Sequence, residues 1–277
     1  MSPGVLDAFR CPSCRAPLEV SERAAAICQG AARHEFPLRD SAPSFLSEAD
    51  GSADTLEAVA GAYAKWIKEA GGRWNRERRR VWRSMLDAAR EAAPPPGLFA
   101  DLGAGDGGLA AAAARERYQA VALDAALPPE GPYLRAAASF TALPFGDGAL
   151  RVAAYSASLH YADDLVLALK EARRALRPDG ALIVGLTPVH LTARGAAGAA
   201  ETTRHEIRAL ASEGPLSESY RHLTLEELEG ALGSAGFVFE VRPSGLSAGF
   251  LAVRAVKSRI AGTEFARFPL VVGRARA

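Results

Sequence analysis

A segment near the middle of the chain, LFADLGAGDGGLA at positions 98–110, combines an apolar strand with two acids and four glycines. Glycines let the backbone turn sharply and approach a ligand closely, and the amides of a following helix face the same space. Gly103, Gly105 and Gly108 satisfy the GxGxxG pattern of dinucleotide-binding proteins. Asp124 ends the next predicted strand about twenty residues later, where an acid binds ribose hydroxyls. The segment therefore predicts a nucleotide-binding turn between a strand and a helix.

Asp101 distinguishes between two kinds of nucleotide ligand. A carboxylate directly before the glycine turn favours a ligand with positive charge at that point and repels a diphosphate. S-adenosyl-L-methionine carries a sulfonium and an ammonium group, whereas a nicotinamide dinucleotide presents its diphosphate. The alternative role of Asp101 is structural, with the carboxylate accepting hydrogen bonds from amides of the loop. We predict S-adenosylmethionine as the cofactor, with a nicotinamide dinucleotide as the competing ligand.

Four motifs in order resemble those of the class I S-adenosylmethionine-dependent methyltransferases, in particular the type 11-like methyltransferase domains. They are FADLGAGDGGLA, AVALD, TALPFGDGALRVAAYSASLHY and LKEARRALRPDGALIV. The resemblance spans residues 98–190. It implies an α/β, Rossmann-like fold with a seven-stranded sheet that binds the cofactor across the carboxyl ends of its first strands.

The resemblance also implies which residues contact each end of the cofactor. The methionine end would be lined by Asp101, Gly103, Ala104 and Gly105. Ser156, at the end of the fourth predicted strand, would border the methyl group.

On the adenosine side, the resemblance implies that Asp124 holds the ribose hydroxyls and that Ala125 packs near the adenine. Family members often have an acid before the ALPF unit, where this chain has Ser139 and Phe140. A neutral hydroxyl accepts a hydrogen bond from the adenine amino group more weakly than a carboxylate does. Either Ser139 makes that weaker bond, or Phe140 instead lies on the adenine ring.

The N-terminal segment contains all three cysteines and a histidine at metal-binding spacing. Cys11 and Cys14 form a CxxC pair, and Cys28 and His34 follow after a short predicted hairpin. A zinc ribbon presents four ligands tetrahedrally in this way, and the metal supplies folding energy that so small a segment lacks. The segment resembles the zinc ribbon of ribosomal RNA guanine methyltransferases. A ribbon that has lost its metal is the alternative, whereas a redox CxxC lacks its usual strand and helix context.

Apolar runs and helical patterns alternate from residue 98 onward, as expected for a parallel sheet covered on both faces. The predicted strands are Leu98–Leu102, 119–123, 133–139, Leu150–Ser156 and 181–186. The predicted helices are 109–117, 164–176, 202–211 and 225–235. The tail at 236–256 predicts two further strands around a turn, forming an antiparallel edge.

The chain divides into three predicted parts, which are a zinc ribbon at 1–47, a helical lid and linker at 48–97, and the cofactor-binding domain at 98–277. Tyr63 and Trp66 in the lid, together with Tyr161, are expected to border a substrate pocket. His160 follows the fourth strand and is a candidate general base, because a histidine titrates near neutral pH. His190 and His222 are further candidates.

The composition of the chain limits the classes of partner that it is expected to bind. The formal net charge is +1, with 49% hydrophobic and 23% charged residues, so no global field attracts nucleic acid or membrane. The sequence has neither a bilayer-spanning apolar run nor a signal-peptide core, and its few cysteines suit a reducing, cytoplasmic environment.

We therefore expect methyl transfer to a small-molecule acceptor by in-line displacement. The first alternative is a ribosomal RNA (guanine-N) methyltransferase that grips RNA with the ribbon and the basic stretch RWNRERRRVWR at 73–83. It predicts a positive surface from Arg15 through Arg80 to the cofactor site. The stretch has a second interpretation, in which its tryptophans pack inward and its arginines lie on a solvated face. The other alternative is a non-catalytic binding protein with the same fold.

Overall fold

The cysteine-containing segment forms a four-stranded antiparallel sheet after a 3-10 helix at Pro3–Ala8. The computed structural model describes residues 3–21, 25–47, 71–210 and 221–276, without the side chains of 3–5, 71, 73 and 203–210. The strands, in sheet order, are β1 (Leu18–Val20), β2 (Ala25–Cys28), β3 (Glu35–Arg39) and β4 (Ala42–Pro43). Strands this short bury little apolar surface among themselves, so they need a metal or a larger neighbour for stability.

The apolar runs of the remaining chain form the predicted seven-stranded sheet. Its strands are β5 (Leu98–Leu102), β6 (Gln119–Asp124), β7 (Leu134–Ala137), β8 (Leu150–Ser156), β9 (Leu176–Gly185), β12 (Phe237–Arg242) and β13 (Leu270–Ala275). Two-residue strands β10 (Val189–His190) and β11 (Leu223–Thr224) pair with each other outside it. The order is β12-β13-β9-β8-β5-β6-β7, and only β13 runs antiparallel to its neighbours. The predicted Rossmann-like α/β fold is confirmed.

Helices cover both faces of this sheet because successive strand residues alternate between the two faces. They are α1 (Gly71–Ala92), α2 (Gly108–Arg115), α3 (Leu165–Ala175), α4 (Ala193–Leu210), α5 (Leu225–Ser234) and α6 (Ala248–Ala261). α1 and α2 pack with Phe99 and Val152 on one face, whereas α3 and α5 pack with Leu102 and Tyr155 on the other. No helix within the described ranges is both long and apolar enough to cross a membrane.

The tail departs from its predicted two-strand structure. Its first strand is β12, but residues 248–261 form α6, and the second strand of the antiparallel edge is β13. The Ser247 hydroxyl accepts a hydrogen bond from the Phe250 amide and caps α6. The Glu77 carboxylate on α1 accepts hydrogen bonds from the amide and hydroxyl of Ser247. The cap is thus held by a residue that is distant in sequence.

The N-terminal unit docks on the second face of the large sheet and shares its core. The ring of Phe9 lies 5.6 Å from that of Phe45 and 6.1 Å from that of Phe145. The Phe45 amide donates to the Ala137 carbonyl on β7. Leu6 and Leu18 belong to the same apolar cluster. The predicted division into 1–47, 48–97 and 98–277 stays a prediction, and residues 48–70 lie outside the described ranges.

This shared core predicts that Phe9 stabilises the whole protein and not the ribbon alone. Phe9→Ala removes a fully buried ring and should lower the free energy of unfolding by about 3–5 kcal/mol. Val20→Ala, on a ribbon side chain that is half exposed, is the matched control and should change it by less than about 1 kcal/mol. Urea unfolding of both variants measures the difference. Equally small losses of unfolding free energy in the two variants would contradict a shared core.

Candidate functional site

The glycine turn after β5 has a backbone conformation in which side chains would be strained or would clash with neighbouring residues. Gly103, Gly105 and Gly107 have φ angles of 79°, 52° and 71°. A Cβ at Gly103 would lie 2.3 Å from the Cβ of Ser158 and 3.0 Å from the ring of Phe140. The turn therefore requires glycine here both for its backbone angle and for the close approach of neighbouring chains.

Asp101 lies buried beneath this turn and has one oxygen bonded and one without a partner. Its Oδ2 accepts a hydrogen bond of 3.1 Å from the Ala110 amide in the first turn of α2. Its Oδ1 is buried and has no hydrogen-bond partner. Desolvation foremost, opposed by the bond from Ala110, raises the pKa of Asp101 to about 8, and the charges of Asp124 and Asp106 add to the rise. The carboxyl group therefore combines the structural role with a vacant acceptor suited to a cation.

Asp124 at the end of β6 is tied to the same turn. Its Oδ2 accepts a hydrogen bond of 2.8 Å from the Gly105 amide. Partial burial raises its pKa, whereas hydrogen bonds from Gly105, Ala126 and Ala125 oppose that rise. Ala104 is buried within the turn, and Ala125 is exposed just beyond Asp124. The structure thus brings together the residues predicted for the methionine end and the ribose.

Phe140 and Ser139 follow β7 on the side where adenine is expected. The ring of Phe140 reaches the turn at Gly103 and meets Tyr155 edge to face at 5.4 Å between centroids. The Ser139 hydroxyl lies 3.1 Å from the Thr141 hydroxyl and also accepts from the Thr141 amide. Both residues are partly exposed, and their predicted contacts with adenine stay predictions.

Ser156 at the end of β8 is joined to α1 by Trp82. The indole Nε1 of Trp82 donates a hydrogen bond of 2.8 Å to the Ser156 hydroxyl. The same indole lies against Gly108, where a Cβ would come within 2.2 Å of the ring. The guanidinium of Arg78 covers the indole at 4.7 Å and pairs with Asp106 Oδ2 at 2.6 Å.

Arg78 and Trp82 are not among the site residues that the sequence motifs predict. The basic, aromatic stretch at 73–83 predicts either RNA binding or inward packing of its tryptophans. Their separation of four residues was the available signal, because it places both side chains on the same face of a helix. The sequence does not indicate that this face lies on the glycine turn.

His160 lies in a 3-10 helix after β8 and is only 4% exposed. Burial, followed by the charge of His222, lowers its pKa to about 3. A base with so low a pKa accepts a proton weakly near neutral pH, which weakens the case for His160 as general base. Its ring lies 4.5 Å from that of Tyr161. Tyr63 and Trp66 lie outside the described residues.

His190 and His222 lie beyond the carboxyl ends of β8 and β9. Nε2 of His190 is 3.1 Å from Nδ1 of His222, and the paired strands β10 and β11 hold the two rings together. Burial lowers the pKa of His190, opposed by the charge of Glu264.

The four predicted metal ligands converge in the N-terminal unit. The sulfur atoms of Cys11, Cys14 and Cys28 and a ring nitrogen of His34 all lie within 4.8 Å of one another. Nδ1 of His34 is 3.4 Å from Sγ of Cys11 and 3.7 Å from Sγ of Cys28. Tetrahedral zinc, with bonds of about 2.0–2.3 Å to nitrogen and sulfur, places its ligand atoms about this far apart. Burial would raise the pKa of Cys28, but bonds with His34 and Cys14 outweigh it and lower the pKa to about 6. These residues fit a zinc ion.

Residues 100–184 match a family model described as a methyltransferase domain. No curated protein sequence matches the chain. Among solved structures, the chain is similar to the YcgJ protein from Bacillus subtilis, with 17% identity over 70% of this chain and 99% of that one and a TM-score of 0.50.

Two further solved structures are similar over most of their length. The first is 1,6-didemethyltoxoflavin-N1-methyltransferase from Burkholderia thailandensis, with 18% identity, 95% of this chain and 100% of that one covered, and a TM-score of 0.51. The second is geranyl diphosphate C-methyltransferase from Streptomyces coelicolor, with 16% identity, 70% and 79% covered, and a TM-score of 0.54. At these identities the likeness shows the fold, which is that of the class I methyltransferases.

The raised pKa of Asp101 predicts that a cationic cofactor binds more tightly as the pH rises. Below about pH 8 the free carboxyl is protonated, so binding a cation beside it must release that proton. The affinity for S-adenosylmethionine should rise by up to about tenfold per pH unit between pH 6 and 8 and then level off. Asp101→Asn keeps an acceptor for the Ala110 amide and should flatten this dependence. Calorimetric titrations of both proteins measure it.

The free proteins provide an independent check on Asp101. The folded state binds this proton more tightly than the unfolded state, so its stabilising effect is lost as the pH rises toward 8. Asp101→Asn should therefore melt several degrees above the native protein at pH 9 and close to it at pH 5. Parallel pH dependences of melting in the two proteins would contradict the role given to Asp101, since the other titratable groups are common to both.

The converging thiols and imidazole predict one zinc ion per chain. Cys14→Ser removes one ligand atom and should lower both the zinc content and the melting temperature. Ser13→Ala, on an exposed side chain next to it, should change neither. Elemental analysis of freshly purified, unchelated protein measures the zinc. Substoichiometric metal in the native protein would contradict the four-ligand assignment.

Proposed function

We propose that this chain, whose residues 100–184 form a methyltransferase domain within the class I fold, transfers a methyl group from S-adenosylmethionine to a small-molecule acceptor. The observation that carries the proposal is the buried Asp101 carboxyl beneath the glycine turn, with Oδ1 unpaired. A buried acceptor without a partner is costly, and a cationic ligand removes that cost. A diphosphate at the same place would increase it.

The chemistry needs alignment more than acid or base groups. The cofactor, when bound, supplies a methyl group on a positively charged sulfur, which a nucleophile attacks in line. Asp101 would stabilise positive charge at the methionine end, and Asp124 would accept hydrogen bonds from the ribose. Trp82, bonded to Ser156, would form the wall that excludes water near the methyl group. A general base is needed only for an acceptor that must lose a proton.

Charge pairing favours a small acceptor over RNA. The RNA hypothesis requires a continuous positive surface from Arg15 through Arg80 to the cofactor site. Arg15 instead pairs with the buried carboxylate of Glu171 at 3.4 Å, and Arg78 pairs with Asp106 at 2.6 Å. Arg80 lies 4.0 Å from the Glu77 carboxylate. Neutralised arginines contribute little to counterion release, which drives RNA binding.

The ligands bound in two structural neighbours support the same choice. The Burkholderia enzyme is described with bound 1,6-didemethyltoxoflavin and the Streptomyces enzyme with bound geranyl diphosphate. Both ligands are small molecules. They suggest an acceptor class for this chain without naming its acceptor.

The test begins with binding and proceeds to turnover. Calorimetry with S-adenosylmethionine, S-adenosylhomocysteine and NADH should show binding of the first two nucleosides only. Asp124→Ala, which removes the ribose acceptor, should weaken both by about 10- to 100-fold. Gln119→Ala, on an exposed side chain at the start of the same strand, is the control.

Turnover then separates the three functional hypotheses. Protein supplied with methyl-labelled cofactor should label the small-molecule fraction of a cell extract and leave ribosomal RNA unlabelled. Labelled RNA, with salt-sensitive binding, would favour the RNA methyltransferase. Binding without transfer to either fraction would favour the non-catalytic protein, and NADH binding alone would overturn the proposal.

A further inference from the structure

Strands β8 and β9 are each followed by a residue with a left-handed backbone, although neither residue is glycine. The φ angle is 57° at Ala157 and 57° at Leu186, and the Ala157 amide donates to the Gly185 carbonyl, which holds the two strand ends together. Non-glycine residues in this conformation are uncommon, and strained residues of this kind concentrate at functional sites. The segments that they open contain His160 after β8 and His190 after β9.

A third histidine joins these two segments. The Arg221 amide donates a hydrogen bond of 3.0 Å to the His160 carbonyl, which places His222 beside the segment after β8. Burial foremost, and then the charge of His222, lower the pKa of His160, so the two rings are within electrostatic reach. Nδ1 of His222 also lies 3.1 Å from Nε2 of His190. His222 therefore lies between the segments that follow β8 and β9.

His190 also faces a carboxylate that is fixed in place. Glu264 accepts hydrogen bonds from the Thr192 hydroxyl and the Leu191 amide. These bonds, the first most strongly, lower the pKa of Glu264, so its carboxylate is ionised at neutral pH. One of its oxygens lies 4.0 Å from Nδ1 of His190, which is close enough for charge attraction. A Cβ at Gly195 would lie 2.1 Å from Oε2 of Glu264, so the glycine leaves room for the carboxylate.

The order of these groups determines which ring nitrogens carry protons. A carboxylate favours a proton on Nδ1 of His190, because in the other tautomer a lone pair would face the negative charge. Nδ1 of His222 then donates its proton to the hydrogen bond with Nε2 of His190. The remaining nitrogen, Nε2 of His222, carries the lone pair that accepts a proton. His190 is fully buried and His222 is partly exposed, so of the two residues only His222 presents surface to a ligand.

We propose that His222 is the general base for an acceptor with an acidic hydroxyl group, such as a phenol or an enol, and that His190 and Glu264 position it. This inference rests on the proposed function and deepens it by naming the acceptor class. The hydroxyl oxygen attacks the methyl carbon and displaces the sulfur, which keeps the electron pair of the broken bond. The hydroxyl proton moves to Nε2 of His222. The products are a methyl ether, S-adenosylhomocysteine and a protonated histidine pair whose charge Glu264 offsets.

The acidity and charge of the acceptor limit its class. A carboxylate acceptor is already ionised at neutral pH and needs no base, whereas an alkyl hydroxyl is too weak an acid for a histidine. A phenol, with a pKa of about 10, lies within a few units of a histidine at about 6.5. Negative charge that develops on its oxygen is attracted by the positive sulfur, whereas an ammonium acceptor is repelled by that sulfur.

The first test is spectroscopic and needs no acceptor. Long-range proton–nitrogen correlation spectra of isotope-labelled protein report which nitrogen of each histidine ring is protonated. At neutral pH, native His190 and His222 should both be protonated at Nδ1. Glu264→Gln removes the orienting charge and should reduce this preference in His190, whereas Glu226→Gln, on an exposed side chain of α5, should not. A native His190 protonated at Nε2, or a preference that Glu264→Gln leaves unchanged, overturns the inference.

The second test measures transfer from methyl-labelled S-adenosylmethionine to the small-molecule fraction of a cell extract. His222→Ala should lower the rate by at least about 100-fold, and Glu264→Gln by about 10- to 100-fold. Glu226→Gln should keep the native rate, and all variants should bind S-adenosylhomocysteine within about twofold of the native protein. Added imidazole should restore part of the activity of His222→Ala, which a purely structural role does not allow. Native transfer by His222→Ala, or loss without rescue, contradicts a general base at this position.

The labelled product identifies the acceptor class. A methyl ether resists mild alkali and releases labelled methyl iodide in boiling hydriodic acid. Label released by mild alkali indicates an ester, and label that resists both treatments indicates methylation of nitrogen or carbon, so either result overturns the acceptor class. If the native protein transfers no methyl group although its histidine tautomers are as expected, the proposed function fails and the acceptor class fails with it, while the histidine arrangement stands.

Discussion

The carboxyl group of Asp101 is buried at the carboxyl end of β5, where this strand is followed by the glycine turn and α2. One oxygen bonds the Ala110 amide and so fixes the start of α2. The other oxygen has no partner, which makes ionisation costly in the free protein and raises the pKa to about 8. A single residue therefore positions the start of α2 and favours positive charge in a ligand at the turn.

Two elements outside the parallel strands support the region around the turn. α1 contacts the turn through Arg78 and Trp82. The N-terminal unit supports the segment after β7, because Phe9 packs on Phe145 and the Arg10 amide donates to the Pro144 carbonyl. These contacts hold the segment that also carries Phe140.

The ion pairs around Glu171 strengthen this support. Its carboxylate accepts from Arg15 next to the metal ligands, from Arg174 and from the Leu143 amide. A metal ion in the ribbon would therefore stabilise the segment after β7 through packing and hydrogen bonds.

Much of this arrangement could be predicted from local sequence. β5 and β8 have the predicted bounds because buried parallel strands are continuous apolar runs, and glycine spacing located the turn. Cys28 ends β2 and His34 directly precedes β3, so the turn between these paired strands brings the two residues together, although their spacing is unusual. Helix α6 was missed because its cap, Ser247, is bonded by Glu77, which no local pattern reveals. Trp82 was missed for the same reason, since helical periodicity defines a face but not the surface that it meets.

The charges around the turn favour a cationic ligand over a diphosphate, although the glycine pattern is compatible with both. Asp106 and Asp124 both raise the pKa of Asp101, so three acidic groups act on one small volume. Arg78 opposes them with a single guanidinium on one side of the turn. A dinucleotide would bring its two phosphate charges to a site where acids outnumber bases. A sulfonium nucleoside brings two positive groups and one carboxylate, so its net charge is positive and has the sign that this site favours. The glycine pattern allows close approach, and the charges select the ligand.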